Sequence, residues 1–179
     1  VYDEDAYAWY EGGRQFYDAY NFATGNTKTY SLQTPNAINT SASLELSFSA
    51  SSKSSSTEVM VTSGENSLGR FTIRNCREHE NAIDRRQVYS LKNLAEVTPI
   101  KFTTTQGRDA RLNYLSLTYT RKLQANDIPY SFVPTPTSSN AVQLQIEGAD
   151  SNTQVWRIDE QTHNISRCAA ELDGTMLTA

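Results

Sequence analysis

From Ser43 to Ala50 the chain alternates strictly. Leu44, Leu46, Phe48 and Ala50 take one side, and Ser43, Glu45, Ser47 and Ser49 take the other. A period of two marks a strand with one buried face. The same reading predicts strands at Thr27–Leu32, Thr57–Thr62, Leu68–Asn75, Val88–Leu91 and Val97–Thr105. The longest prediction is Leu112–Leu123, with Leu115, Leu117 and Tyr119 on one face and Tyr114, Ser116, Thr118 and Thr120 on the other. Shorter strands are expected at Tyr130–Val133, Val142–Glu147 and Gln154–Asp159, with a last short pairing in Ile165–Ala170. Polar turns at Ser51–Ser56, Ser63–Asn66, Gln106–Asp109 and Gly148–Asp150 separate them. Cys76–Arg86 is charged and aperiodic and reads as a loop. No segment keeps helical periodicity for three turns. About ten short strands with regular turn signals predict an all-β, antiparallel, jelly-roll-like β-sandwich. The pattern places one sandwich domain over 1–159 and a tail, or the start of a linker, over 160–179.

The first 22 residues stand apart. Tyr2, Tyr7, Trp9, Tyr10, Phe16, Tyr17, Tyr20 and Phe22 are set among Asp3, Glu4, Asp5, Glu11 and Asp18. Gly12-Gly13 breaks this segment into two extended pieces around a turn. Trp9, Tyr10, Arg14, Phe16 and Tyr17 are the candidate binding residues, because exposed rings stack on sugar faces or protein partners. The other reading packs Trp9, Phe16 and Tyr17 into or over the sandwich core, since rings bury large areas and the chain has few aliphatics.

Composition narrows the rest. Of 179 residues, 19 are Ser and 20 are Thr, which suits strands and turns. The hydrophobic share of 37% fits sheets with one wet face. A net charge of −4 with scattered cations argues against nucleic-acid binding. No apolar run approaches the ~18–20 residues that span a bilayer.

The search for chemistry is thin. Cys76 and His79 lie three apart, which is little evidence for a dyad, since such pairs come from distant parts of a chain. His163 beside Asp159 and Glu160 offers a triad that the abundant hydroxyls would satisfy by chance. Cys76 and Cys168 fit no zinc spacing; one disulfide and two buried thiols both remain open. No cofactor motif is present. A structural calcium closing a sandwich edge through Asp127, Asp150 and Asn152 is the one metal expectation. The chain is therefore expected to carry no catalysis of its own.

Three stretches carry a resemblance: Trp9–Tyr17 (WYEGGRQFY), Leu112–Leu123 (LNYLSLTYTRKL) and Gln154–Asp159 (QVWRID). In this order and spacing they resemble the non-catalytic β-sandwich region of the surface sortase of type IX secretion, a gingipain-like cysteine peptidase of Gram-negative bacteria. The resemblance implies a sandwich of the galactose-binding-like kind, upstream of a peptidase domain in the same parent chain. It implies export and a place at the outer-membrane surface or outside the cell. The implied partners are that peptidase domain and the C-terminal sorting signals of cargo proteins. No position here inherits a catalytic role, Cys76 and His79 included. The alternative is a carbohydrate-binding module or adhesin-like surface domain that takes surface glycans.

Overall fold

The computed structural model describes residues 1–38, 41–125, 129–134 and 142–179. It is all-β, with antiparallel sheets. The chain packs as two compact units, Val1–Arg121 and Lys122–Ala179. The strand pattern alone predicts one sandwich running to residue 159, and the first unit stops at Arg121.

The first unit holds β1 (Tyr2–Asp3), β2 (Thr27–Gln33), β3 (Ala42–Ala50), β4 (Thr57–Ser63), β5 (Asn66–Ile73), β6 (Ile83–Leu91), β7 (Val97–Gln106) and β8 (Ala110–Thr118). They form two four-stranded sheets, ordered β1-β8-β3-β6 and β2-β7-β4-β5. This is the strand order of a jelly roll, with successive strands switching sheets everywhere except at the β4–β5 hairpin. The alternating apolar side chains meet between the sheets. Leu44, Leu46, Phe48, Leu112 and Leu115 of one sheet face Val59, Val61, Phe71, Ile73, Ile100 and Phe102 of the other. Phe48 sits at the centre, with ring centroids 5.0 Å from Phe102, 5.1 Å from Phe22 and 5.5 Å from Phe71.

Two strands of this unit, β6 and β8, differ most from their predicted limits. β6 begins at Ile83, inside the stretch read as a loop. Arg85 and Gln87 interrupt the apolar face carried by Ile83, Tyr89 and Leu91, and β6 tolerates them because it is an edge strand with β3 as its hydrogen-bonded neighbour. β8 stops at Thr118, opposite Ser43 near the start of β3, although Leu123 was the predicted end. Within β8 the register shifts opposite Ser47 and Phe48. This bulge turns Leu112 inward with Leu115, which strict alternation would put on opposite faces. Pro99 lies in β7 where that strand has β2 alone as neighbour, so its missing N–H breaks no ladder to β4.

The second unit holds β9 (Gln145–Ile146), β10 (Trp156–Ile158), β11 (Ile165–Arg167), β12 (Glu171–Asp173) and β13 (Met176–Thr178). β12, β13 and β9 make one small sheet, and β10 pairs with β11. Ile146, Ala149, Val155 and Leu177 form its core. The residues expected as a tail thus supply three of these five strands and, among the described residues, the strand that pairs with β9. Tyr130–Val133, expected as a strand, forms none.

Candidate functional site

The N-terminal segment lies on the outer face of the β1-β8-β3-β6 sheet. Tyr7 and Tyr17 form an antiparallel bridge on either side of the Gly12-Gly13 turn, as two extended pieces should. The turn closes with Gly13 N–H donating to Tyr10 C=O at 3.2 Å, and Gly12 has φ of 78°. The Trp9 indole N–H donates to Ser49 Oγ on β3 at 2.9 Å. The Arg111 guanidinium of β8 stacks 3.5 Å over the Tyr7 ring, which meets Trp9 edge-on at 5.2 Å. Ser47 and Ser49, the expected wet face of β3, are consequently buried.

Four of the five candidate residues converge. Trp9, Tyr10, Arg14 and Tyr17 line one open cleft of about 430 Å³, together with Gly12, Gly13 and Gln15. The chain segment leading into β6 completes it with Asn81, Ala82 and Asp84. Tyr17 is only 3% exposed, and its hydroxyl lies 3.0 Å from Asp84 Oδ1 and 2.9 Å from Gln15 Oε1. Burial, with the Asp84 carboxylate beside it, pushes this hydroxyl up to about 12. Tyr10 is 53% exposed. Phe16 is 44% exposed and does not line the cleft. Trp9 and Tyr17 pack over the sheet rather than into the inter-sheet core. Asn81 and Asp84 escaped the sequence reading because they sit in a charged stretch without period. The loop before them is fixed by Glu80, which accepts from both terminal Arg74 nitrogens at 2.7 and 2.6 Å and from Arg77 N–H at 2.7 Å. Arg74 foremost, then the Arg77 amide, hold the Glu80 carboxyl down near about 2.

A second cluster anchors the start of the chain. Asp18 is 1% exposed and accepts from the Tyr30 hydroxyl at 2.6 Å, Lys28 Nζ at 2.7 Å, the Tyr20 N–H at 2.7 Å and the Tyr2 hydroxyl at 2.8 Å. Burial pushes the Asp18 carboxyl up, but Lys28, Tyr30, Tyr20 and Tyr2 together hold it below the usual carboxylate range. The Lys28 ammonium sits 4.7 Å from the Tyr30 ring centroid and 5.3 Å from that of Tyr20.

The remaining chemical candidates are not among the residues that line this cleft. Both cysteines are free. Cys76 is buried with its thiol 3.5 Å from Ala50 C=O, and burial pushes that thiol up, away from the reactive thiolate. His79 is exposed on the loop before β6. His163 adopts φ of 56° in the β10–β11 turn, where Asp159 accepts from the Gln161 and Thr162 amides at 3.0 and 2.9 Å. Asp150 binds within its own turn, accepting from Asn152 N–H at 3.0 Å and the Thr153 hydroxyl at 2.9 Å. Asp127 lies outside the described residues, and among those no group of three metal-ligating side chains occurs.

The chain is thus an all-β protein whose larger unit is a jelly-roll sandwich with an aromatic-walled cleft on its N-terminal segment. A solved structure shares the fold: dimeric latent PorU from Porphyromonas gingivalis, at a TM-score of 0.76 and 13% identity. The match covers 98% of this chain and 18% of that one, so the chain spans less than a fifth of PorU's length. No family model and no curated protein matches the sequence.

Proposed function

We propose that this chain is a non-catalytic domain of a type IX secretion sortase, a gingipain-like cysteine peptidase of the bacterial surface. In this role it supports or positions the C-terminal sorting signals of cargo for a peptidase domain elsewhere in the same polypeptide. The observation that carries the reading is the fold match to PorU along 98% of the chain. PorU is a sortase of the kind that the three sequence stretches resemble. The buried Cys76 thiol fits a parent whose nucleophile lies elsewhere. A folded domain that holds substrate in register raises a rate by positioning it.

Excising this segment from the chromosomal gene tests the role. Cargo should then accumulate with its C-terminal signals uncleaved, while a thiol-directed probe still labels the parent's active-site cysteine. Normal cargo processing by the shortened protein would overturn the proposal.

A further inference from the structure

The cleft beside the Gly12-Gly13 turn has a composition that selects a ligand. Trp9 spends its only polar atom inward on Ser49, so what it offers the cleft is ring surface held in a fixed orientation. Tyr10 adds a second, exposed ring. Around these rings stand groups of both hydrogen-bonding signs. Asp84 accepts, with Oδ1 beside the Tyr17 hydroxyl and its second oxygen without a partner among the described residues. Gln15 and Asn81 carry amides that both donate and accept. Arg14 donates only, and makes no ion pair among the described residues.

One carboxylate and one guanidinium leave the lining without net charge. A peptide added as a strand would need a bare strand edge, and the strand that enters this cleft carries Asp84, Arg85 and Arg86 in succession, a pattern that blunts edge pairing. A pyranose matches the lining better. Its C–H face stacks on a ring, and its hydroxyls donate and accept at once. The volume, about 430 Å³, lies within the range of roughly 300–1,000 Å³ for small-ligand sites.

We propose that this cleft is a binding site for a neutral saccharide, which stacks on Trp9 and Tyr10 and is read by Arg14, Gln15, Asn81 and Asp84. This site is separate from the sortase role, and either can fail without the other.

The test is a panel of neutral hexose and N-acetylhexosamine disaccharides, titrated to tens of millimolar against the whole chain. Acidic saccharides and acidic peptides serve as comparison arms, and indole fluorescence with ligand-observed NMR as readouts. Trp9→Ala is a poor probe, because it strips a partner from the buried Ser49. Tyr10→Ala and Arg14→Ala change exposed side chains and should leave the melting temperature in place. The expected result is millimolar or tighter binding of a neutral disaccharide, weakened about tenfold or more by each variant. Three results would overturn the proposal: no neutral saccharide binding, binding untouched by both variants, or binding confined to the acidic arms.

Discussion

Asp18 gathers four donors around one carboxylate: Tyr2 of β1, Lys28 and Tyr30 of β2, and the Tyr20 N–H two residues on. Removing the charge should therefore unfasten the N-terminus. Asp18→Asn is expected to lower stability at neutral pH by about 2–3 kcal/mol, since Lys28 and two hydroxyls lose a charged acceptor. The pH dependence has a definite sign. Asp18 is held below its unfolded value, so its contribution is present at neutral pH and is lost as pH falls through the folded value. Denaturant titrations should show the gap between the parent and Asp18→Asn narrowing on acidification. Burial and the neighbouring carboxylates push the Tyr2 and Tyr30 hydroxyls up. Their share is intact below about pH 10, the ordinary phenol value, and lost as pH rises beyond it. Trp9→Ala is expected to cost about 2–3 kcal/mol by the same assay, through lost ring packing and the orphaned Ser49 hydroxyl. At this scale the sequence showed half of the cleft. Trp9, Tyr10, Arg14 and Tyr17 were legible as rings and a cation around a glycine turn. Asn81 and Asp84 were not, because nothing local ties them to a segment more than sixty residues earlier in the chain.

The strand elements were legible where one face is buried and one is wet. β4 and β7 follow their predicted alternation because each lies inside a sheet, with its apolar side against the other sheet, and β3 keeps the same apolar face although the N-terminal segment covers Ser47 and Ser49 on its other side. Prediction failed where that contrast is missing. β6 carries charges on an edge, and the five strands after residue 122 are two or three residues long, too short to show a period. Turn glycines offer a direct test of how tightly the elements meet. Gly107, between β7 and β8, has φ of 93°, and a Cβ there would lie 2.4 Å from Thr57 Oγ1 and 2.7 Å from Thr57 Cα. Gly64, in the β4–β5 turn, has φ of 55° and open space around it. Gly64→Ala should cost about 1 kcal/mol, the backbone penalty alone. Gly107→Ala should cost at least about 2 kcal/mol, because β4 must also shift. Equal melting temperatures for the two variants would show that the β7–β8 turn does not press on β4.

As a whole, the first unit closes one edge of a jelly roll with its own N-terminus. Tyr2 and Asp3 pair with Leu115 and Tyr114, Asp18 N–H reaches Leu112 C=O at 2.8 Å, and Phe22 bridges Ala110. The inter-sheet core depends on Phe48, and Phe48→Ala should cost about 3–5 kcal/mol in a denaturant titration. The fold class could be read from strand spacing, whereas the second unit could not, because its core joins residues near 146 to the end of the chain. Function at this scale turns on whether the chain belongs to something larger. The decisive measurement is the mass of the native polypeptide in its source cells, by immunoblot with antibody raised against this chain and peptide mapping of the band. A surface-exposed band several times larger than 20.0 kDa, with peptides from a cysteine peptidase domain, is the expected result. A single band at the mass of this chain alone would contradict the sortase-domain role.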